Sequence, residues 1–396
     1  MVVVAIRLLS IAAGLALVKS YTGELSIAEV GRFFYLSTLS YALNALVFVP
    51  VDFYMQARLA RRDSIPLPGL LRLVSRVLAC GLCACAALGA PLCWLGKLQV
   101  GDLPVLYAAA ALLYLCSTLR NLLNNRGNTV FVSTMLLLES VGRLVAFLGV
   151  VALAGASARG LMVSTVIALL AELVVIAAQA RRVLPMSHEA GALDPAHTVL
   201  RVAAPIAGAA VCNAAQLQAY RVAYPLAGVA FASGVYGVVA NVGGAAMAAC
   251  ASIYQQLEQP RLYQSNGATL RRYVLRATLM SLGVLAVAMA AAPMLVGLLT
   301  KDRYVAYSAI VGFGVIVEAC NLVAGAYTVV LSLQRRTDVM LRFYLVAAAL
   351  AVAGCLAALA WRPDNPYLIG LAIAGSQLLL TLSMATYVWR RPVLPP

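Results

Sequence analysis

A chain of 396 residues that is 63% hydrophobic and only 11% charged, with a mean hydropathy of +0.92, is not a soluble domain, since those carry about 25% charged residues. Runs of roughly 20 apolar residues recur along its whole length, each enough to cross ~30 Å of hydrocarbon as a helix. These runs are apolar throughout rather than alternating, which excludes a β-barrel. The net charge of +15 is read as arginine gathered in cytoplasmic loops and not as a nucleic-acid footprint.

Twelve spans are expected in chain order, at about 2–19, 31–53, 73–95, 103–123, 130–153, 159–180, 199–220, 229–253, 273–299, 304–331, 339–361 and 366–389. The first starts at Met1 without a charged flank or small-residue cleavage site, so it is expected to stay as a helix and not to be a removed signal peptide. Connections after even-numbered spans are rich in arginine. They hold Arg58, Arg61, Arg62, Arg72 and Arg76, then Arg120 and Arg126, Arg181 and Arg182, Arg261, Arg271 and Arg272, Arg335 and Arg336, and Arg390 and Arg391. The alternate connections hold little beyond Lys19, Lys97, Arg159, Lys301 and Arg362, mixed with acids. Both termini are therefore expected in the cytoplasm.

Charges at bilayer depth are expensive and are the default functional candidates. Arg7 lies one or two turns into the first span, and Arg32 opens the second. Glu139 and Arg143 stand four apart in the fifth, on one helix face with the acid leading. That pair is either self-neutralised or leaves Arg143 facing a cavity. Glu172 in the sixth span and Glu318 in the tenth have no cation nearby in sequence, so each is a candidate proton or ion carrier or simply a hydrogen-bonded acid. Arg221 closes the seventh span near the outer interface, flanked by Tyr220 and Tyr224. Arg221 and Arg32 either line a cavity mouth or snorkel to headgroups, and the tyrosines fit an interfacial belt as well as a sugar-stacking surface.

The longest polar stretch, 181–198, contains two prolines and two histidines and reads as a linker. It divides the chain into lobes at 1–184 and 199–396, with the linker at 185–198. An even number of spans in each half makes the repeat parallel. A shift of 203 positions places Tyr21, Gly31, Ala42, Ala45, Gln56, Arg58 and Leu59 on Tyr224, Gly234, Ala245, Ala248, Gln259, Arg261 and Leu262. Small residues crowd the eighth span, and Pro50, Pro205 and Pro293 offer bending points in spans two, seven and nine. The nine cysteines sit in or beside apolar runs without histidine or acidic company, so neither zinc nor disulfides are expected. His188 and His197 read as solvated linker residues. No loop is long enough to hold a catalytic domain and no glycine-rich nucleotide motif is present, so neither an enzyme, a catalytic residue, a cofactor nor ATP-driven transport is expected.

The segment EVGRFFYLSTLSYALNALVFVPVDFYMQARLARR at 29–62 resembles the second span and basic exit of Wzx-type O-antigen flippases. These form the polysaccharide-transporter branch of the superfamily that includes the multidrug and toxic compound extrusion (MATE) proteins. AYRVAYPLAGVAFASGVYG at 219–237 is similar to their seventh-to-eighth junction, where an arginine often ends span seven. The segment at 299–331 is similar to their ninth-to-tenth junction. The resemblance implies an all-α polytopic membrane protein of two six-helix lobes forming a V, as in MATE proteins, in a bacterial cytoplasmic (inner) membrane. It implies a flippase that moves an undecaprenyl-pyrophosphate-linked oligosaccharide between leaflets by alternating access, among membrane lipids and beside a polysaccharide polymerase and chain-length regulator. On that reading Arg221 matches the arginine ending span seven, and Glu318 falls where relatives often hold an acid. Arg7, Arg32 and Arg143 are cavity candidates by position alone. The alternatives are a small-molecule or multidrug exporter of the same superfamily and another twelve-helix secondary transporter. Against an organic-cation exporter stands the excess of arginine; against a major-facilitator protein, the absence of a Gly-x-x-x-Asp-Arg pattern from QARLARRDSIPLPG.

Overall fold

In hydrocarbon a backbone N–H or C=O has no water to bond, so an apolar run satisfies itself by forming a helix. A computed structural model describes residues 2–49, 51–52, 65–184, 186–187, 196–265, 267–300, 302–334 and 336–390. The long helices are α1 (Val2–Glu24), α2 (Ile27–Leu43), α3 (Leu67–Trp94), α4 (Leu103–Asn125), α5 (Thr129–Ala154) and α6 (Ala158–Val183). They continue with α7 (Ala196–Gln218), α8 (Ala230–Gln264), α9 (Leu270–Thr300), α10 (Val311–Leu333), α11 (Thr337–Trp361) and α12 (Pro366–Trp389). Each expected span overlaps one of them, the second continuing past α2 beyond the described residues, and all except α2 and α7 are long and apolar enough by themselves to cross a membrane. The chain is a helical multi-pass membrane protein. Its strand content among the described residues is a minimal parallel pairing of Ile65–Pro66 with Met186–Ser187.

Three local features depart from the expected pattern. Helix α2 widens into a π turn at Asn44–Phe48, where Asn44 Nδ2 donates to the Ala110 carbonyl at 3.2 Å and Phe48 stacks on Tyr114 at 4.9 Å. The connection after α7 is itself mostly helical, because a short helix at Tyr220–Leu226 follows the break at Ala219. Arg120, read from sequence as a loop cation, belongs to α4, which runs on to Asn125. Pro205 and Pro293 lie inside α7 and α9. Pro50, the repeat's Gln56, Arg58 and Leu59, and most of the 185–198 linker with His188 lie outside the described residues. The nine cysteines are free.

The described chain divides into two compact units, one of residues 1–21 with 35–211 and the other of residues 22–34 with 212–396. Helix α2 thus contributes its first turns to the second unit. In the first unit, Phe48 and Tyr114 centre a core that takes in Leu43, Val77 of α3, Leu122 of α4, Met135 of α5 and Ile176 of α6. Asp102 ties the α3–α4 connection to α6 through Arg159 Nε at 2.7 Å, and Ser157 caps α6 by accepting from the Gly160 N–H.

The second unit explains why residues 22–34 belong to it. Thr22 Oγ1 donates to the Leu299 carbonyl at 3.1 Å, while Arg303 Nη1 donates to the carbonyls of Thr22 and Leu25, each at 3.3 Å. Helices α2 and α8 then cross backbone to backbone at Gly31 and Gly234. A β-carbon on Gly31 would lie 2.5 Å from the Ala230 oxygen, and one on Gly234 would lie 2.8 Å from the Ile27 oxygen. Both pairings obey the 203-residue shift, 27 with 230 and 31 with 234. The contact is therefore reciprocal, as a two-fold contact between equivalent elements must be, and close approach of this kind needs small residues. The contact thus follows the 203-residue offset of the sequence repeat. Farther along, Gly243 and Gly314 let α8 and α10 approach through the carbonyls of Val311 and Ala240.

Candidate functional site

In the first unit, one arginine gathers the buried charges. Arg120 of α4, only 9% exposed, places Nη1 at 2.6 Å from Glu139 Oε2 and Nε at 3.6 Å from Glu172 Oε1. The other Glu139 oxygen is held by Arg143, its partner one helical turn along α5. Glu139 is thus clamped from two sides, and Arg143 acts as half of that clamp. Glu172 on α6 is completely enclosed, and neither of its oxygens accepts a hydrogen bond. Its own helix offers it no nearby cation, whereas the structure supplies Arg120 across the α4–α6 contact. Arg7 on α1 lies within electrostatic range of Arg120, its Nε buried without a partner and no carboxylate within ion-pair distance among the described residues. Two arginines therefore share two acids, and Arg7 is a third cation left without one among the described residues.

In the second unit the polar cluster is built mainly of amides. Gln216 Nε2 donates to Ser376 Oγ at 2.9 Å, joining α7 to α12. Gln377 Nε2 donates to Asn321 Oδ1 at 3.2 Å and to Asn213 Oδ1 at 3.5 Å, which brings α10 into the same network. Gln216 and Gln377 are 1% and 0% exposed, yet the Oε1 atom of each has no partner. Glu318 stands one turn before Asn321 on α10 and packs beside Gly244, with no cation partner among the described residues. A search confined to ionisable residues finds Glu318 and misses the amides. The signal available was four amides interrupting three apolar runs.

Arg221 sits on an aromatic shelf. Its Nε donates to Tyr220 Oη at 2.7 Å, and its guanidinium carbon lies 4.5 Å from the Phe34 ring centroid and 5.5 Å from that of Tyr220. Tyr220 is braced edge-on by Tyr236 at 4.9 Å. Cation–π contact of this kind is worth about 0.5–2 kcal/mol and leaves the guanidinium charge uncompensated. No carboxylate stands within ion-pair distance of Arg221 among the described residues, and its Nη groups remain available. Tyr220 and Tyr224 are 2% and 0% exposed, so neither presents a face to a ligand in this conformation. Arg32 is 38% exposed and lies 3.9 Å from Glu29, a weak helical pair.

No protein-family model matches the chain, and no curated protein sequence matches it either. Solved structures do. The MATE multidrug transporter DinF-BH is 16% identical, with a TM-score of 0.68 over 98% of this chain and 95% of its own. An outward-facing multidrug resistance transporter of the same family, within the MOP superfamily, is 14% identical with a TM-score of 0.65 over 98% and 95%. A variant of the Vibrio cholerae transporter VcmN is 15% identical with a TM-score of 0.57 over 99% and 96%. At such identities the likeness speaks to the fold, which is that of the MATE transporters, and leaves the cargo to the side chains.

Proposed function

We propose that the chain is a membrane transporter that moves an anionic, lipid-linked oligosaccharide, of the undecaprenyl-pyrophosphate type, across a bacterial inner membrane by alternating access. Its termini lie in the cytoplasm on this reading, as the arginine distribution requires. The observation that carries it is the balance of charge at membrane depth. Glu139 and Glu172 are held by Arg120 and Arg143, whereas Arg221 and Arg7 have no acidic partner among the described residues. A diphosphate needs fixed cations, and a guanidinium supplies planar, multi-donor geometry for it. Arg221 is the better placed, since its fork is oriented by Tyr220 and Phe34 while its Nη groups stay available.

Glu318 favours a second reading. It is an acid inside a long apolar helix with no cation partner among the described residues, and an exporter of organic cations needs such a group. Two of the MATE structures named above are described as multidrug transporters, and the shared fold suits either cargo. One experiment separates the two. In a host lacking its own copy, Arg221→Ala, Arg221→Lys and Glu318→Gln are scored for surface polysaccharide and for efflux of a cationic dye at matched protein levels. Loss of polysaccharide in the Ala form with partial recovery in the Lys form supports the flippase. Wild-type polysaccharide from Arg221→Ala sinks the assignment of Arg221, and dye efflux that depends on Glu318, with polysaccharide unchanged in every variant, sinks the flippase and favours the exporter.

A further inference from the structure

Tyr220 and Tyr224 are sealed inside the second unit, yet a transporter of sugars needs somewhere for a sugar to rest. The same unit carries an open cleft of about 600 Å³ where the α11–α12 loop meets the 3₁₀ turn Val305–Ile310. Such a volume lies within the ~300–1,000 Å³ of ligand clefts. Its walls include Tyr307, Trp361, Arg362, Asp364, Asn365 and Tyr367. Trp361 is 72% exposed, and the rings of Tyr307 and Tyr367 lie 6.3 Å apart. The loop is stiffened before any ligand arrives, which reduces the ordering cost of binding. Pro363 and Pro366 fix two backbone angles, Asn365 Oδ1 caps α12 by accepting from the Tyr367 N–H at 3.0 Å, and the Asn365 N–H closes a turn onto the Arg362 carbonyl at 3.1 Å.

A belt of interfacial aromatics would account for Trp361 alone, as it does for Trp94, which is 88% exposed at the end of α3. It does not account for the polar groups. The Arg362 guanidinium lies 5.3 Å from the Trp361 ring, and neither it nor the Asp364 carboxylate makes a hydrogen bond or ion pair with any described residue. An unpaired donor fork, an unpaired acceptor and an amide thus stand beside the exposed Trp361 and the half-buried rings of Tyr307 and Tyr367. A pyranose presents that combination in reverse: an apolar C–H face to stack and hydroxyls that both give and accept hydrogen bonds. A phosphate headgroup fits worse, because Asp364 opposes Arg362 two residues away. We infer that this cleft is a saccharide-binding subsite, occupied by the glycan part of the cargo at the low-arginine side of the membrane. The inference rests on the oligosaccharide reading above.

The chain has three tryptophans, Trp94, Trp361 and Trp389, so a Trp94→Phe/Trp389→Phe protein in nanodiscs reports on the cleft alone. Titration with the oligosaccharide released from the host's own surface polysaccharide, and with a panel of other bacterial oligosaccharides, should give a saturable change in Trp361 emission. Tyr307→Ala, and separately Arg362→Gln/Asp364→Asn, should weaken it about tenfold, the loss typical of an anchor residue, without changing the melting curve. The proposal is overturned if no glycan produces a saturable change, if pyrophosphate or added phosphatidylglycerol produces it instead, or if both sets of variants bind like the parent. Binding is read on purified protein and needs no export. Glycan binding combined with normal polysaccharide from Arg221→Ala would therefore fail the Arg221 assignment and leave the cleft standing, and the reverse result would do the opposite.

Discussion

Replacing Arg120 with Gln should be the most damaging single change in the first unit. The guanidinium lies 2.6 Å from one carboxylate and 3.6 Å from another that is wholly enclosed. At 3.6 Å and an effective dielectric of ~20, the attraction to Glu172 is ~4–5 kcal/mol, the same order as the desolvation cost of burying one ion. Remove the cation and Glu172 keeps the cost without the compensation, while Glu139 keeps only Arg143. The expected loss is ~3–5 kcal/mol, as for other broken buried pairs. Glu172→Gln should behave differently, because that carboxylate accepts no hydrogen bond and surrenders its desolvation cost together with its attraction. A change of ~1 kcal/mol is expected. The double variant Arg120→Gln/Glu172→Gln should then recover much of what Arg120→Gln loses. Unfolding in mixed micelles, followed by far-ultraviolet circular dichroism at matched detergent, measures all three. Equal damage from Arg120→Gln and Glu172→Gln, or an unaltered Arg120→Gln protein, would refute the shared-cation argument.

Gly234→Ala should destabilise the second unit by ~1–3 kcal/mol, since the added carbon meets the Ile27 oxygen at 2.8 Å and backbone cannot yield as a side chain can. Gly244→Ala, whose nearest neighbour would be Glu318 Cγ at 3.7 Å, should be harmless; the same unfolding assay compares them, and equal effects would dismiss the close crossing. Gln216→Leu should leave Ser376 without the 2.9 Å donor and cost ~1 kcal/mol. Glu318→Gln should leave stability within ~0.5 kcal/mol, since no cation is deserted. Its transport rate against external pH checks a coupling role, and an unchanged profile removes Glu318 from that role.

The span pattern was legible because a membrane helix is written in one variable, apolar length, and each of the expected spans overlaps a helix. Gly31 and Gly234 were legible as a repeat, though only the fold brings them into contact. Arg120 was not legible. An arginine followed by Asn121, Asn124 and Asn125 carries the composition of a loop, and what keeps it helical and buried is long-range. Thr118 and Asn121 bond Asp52 at 2.8 and 3.2 Å, while Glu139 and Glu172 arrive from two other helices. The amide cluster was missed for a different reason. Asn213, Gln216, Asn321 and Gln377 are neutral, so each passes unnoticed in an apolar run, and their meaning lies in convergence from three helices.

Because the fold is shared with multidrug exporters, substrate class has to be argued from which charges are free. An organic cation drawn to Glu139 would have to take it from Arg120 at 2.6 Å and from Arg143 together. It would then leave a buried arginine unpaired at a cost of ~3–5 kcal/mol, which the cation's own contacts would have to offset before any net binding appeared. A diphosphate meeting Arg221 displaces no carboxylate, since the groups touching that guanidinium are the Tyr220 hydroxyl and the faces of Phe34 and Tyr220. Those rings hold the fork without neutralising it, so most of its charge remains for the ligand. The asymmetry favours an anion at Arg221 over a cation at Glu139 or Glu172, and it moves the exporter reading away from that pair and onto Glu318.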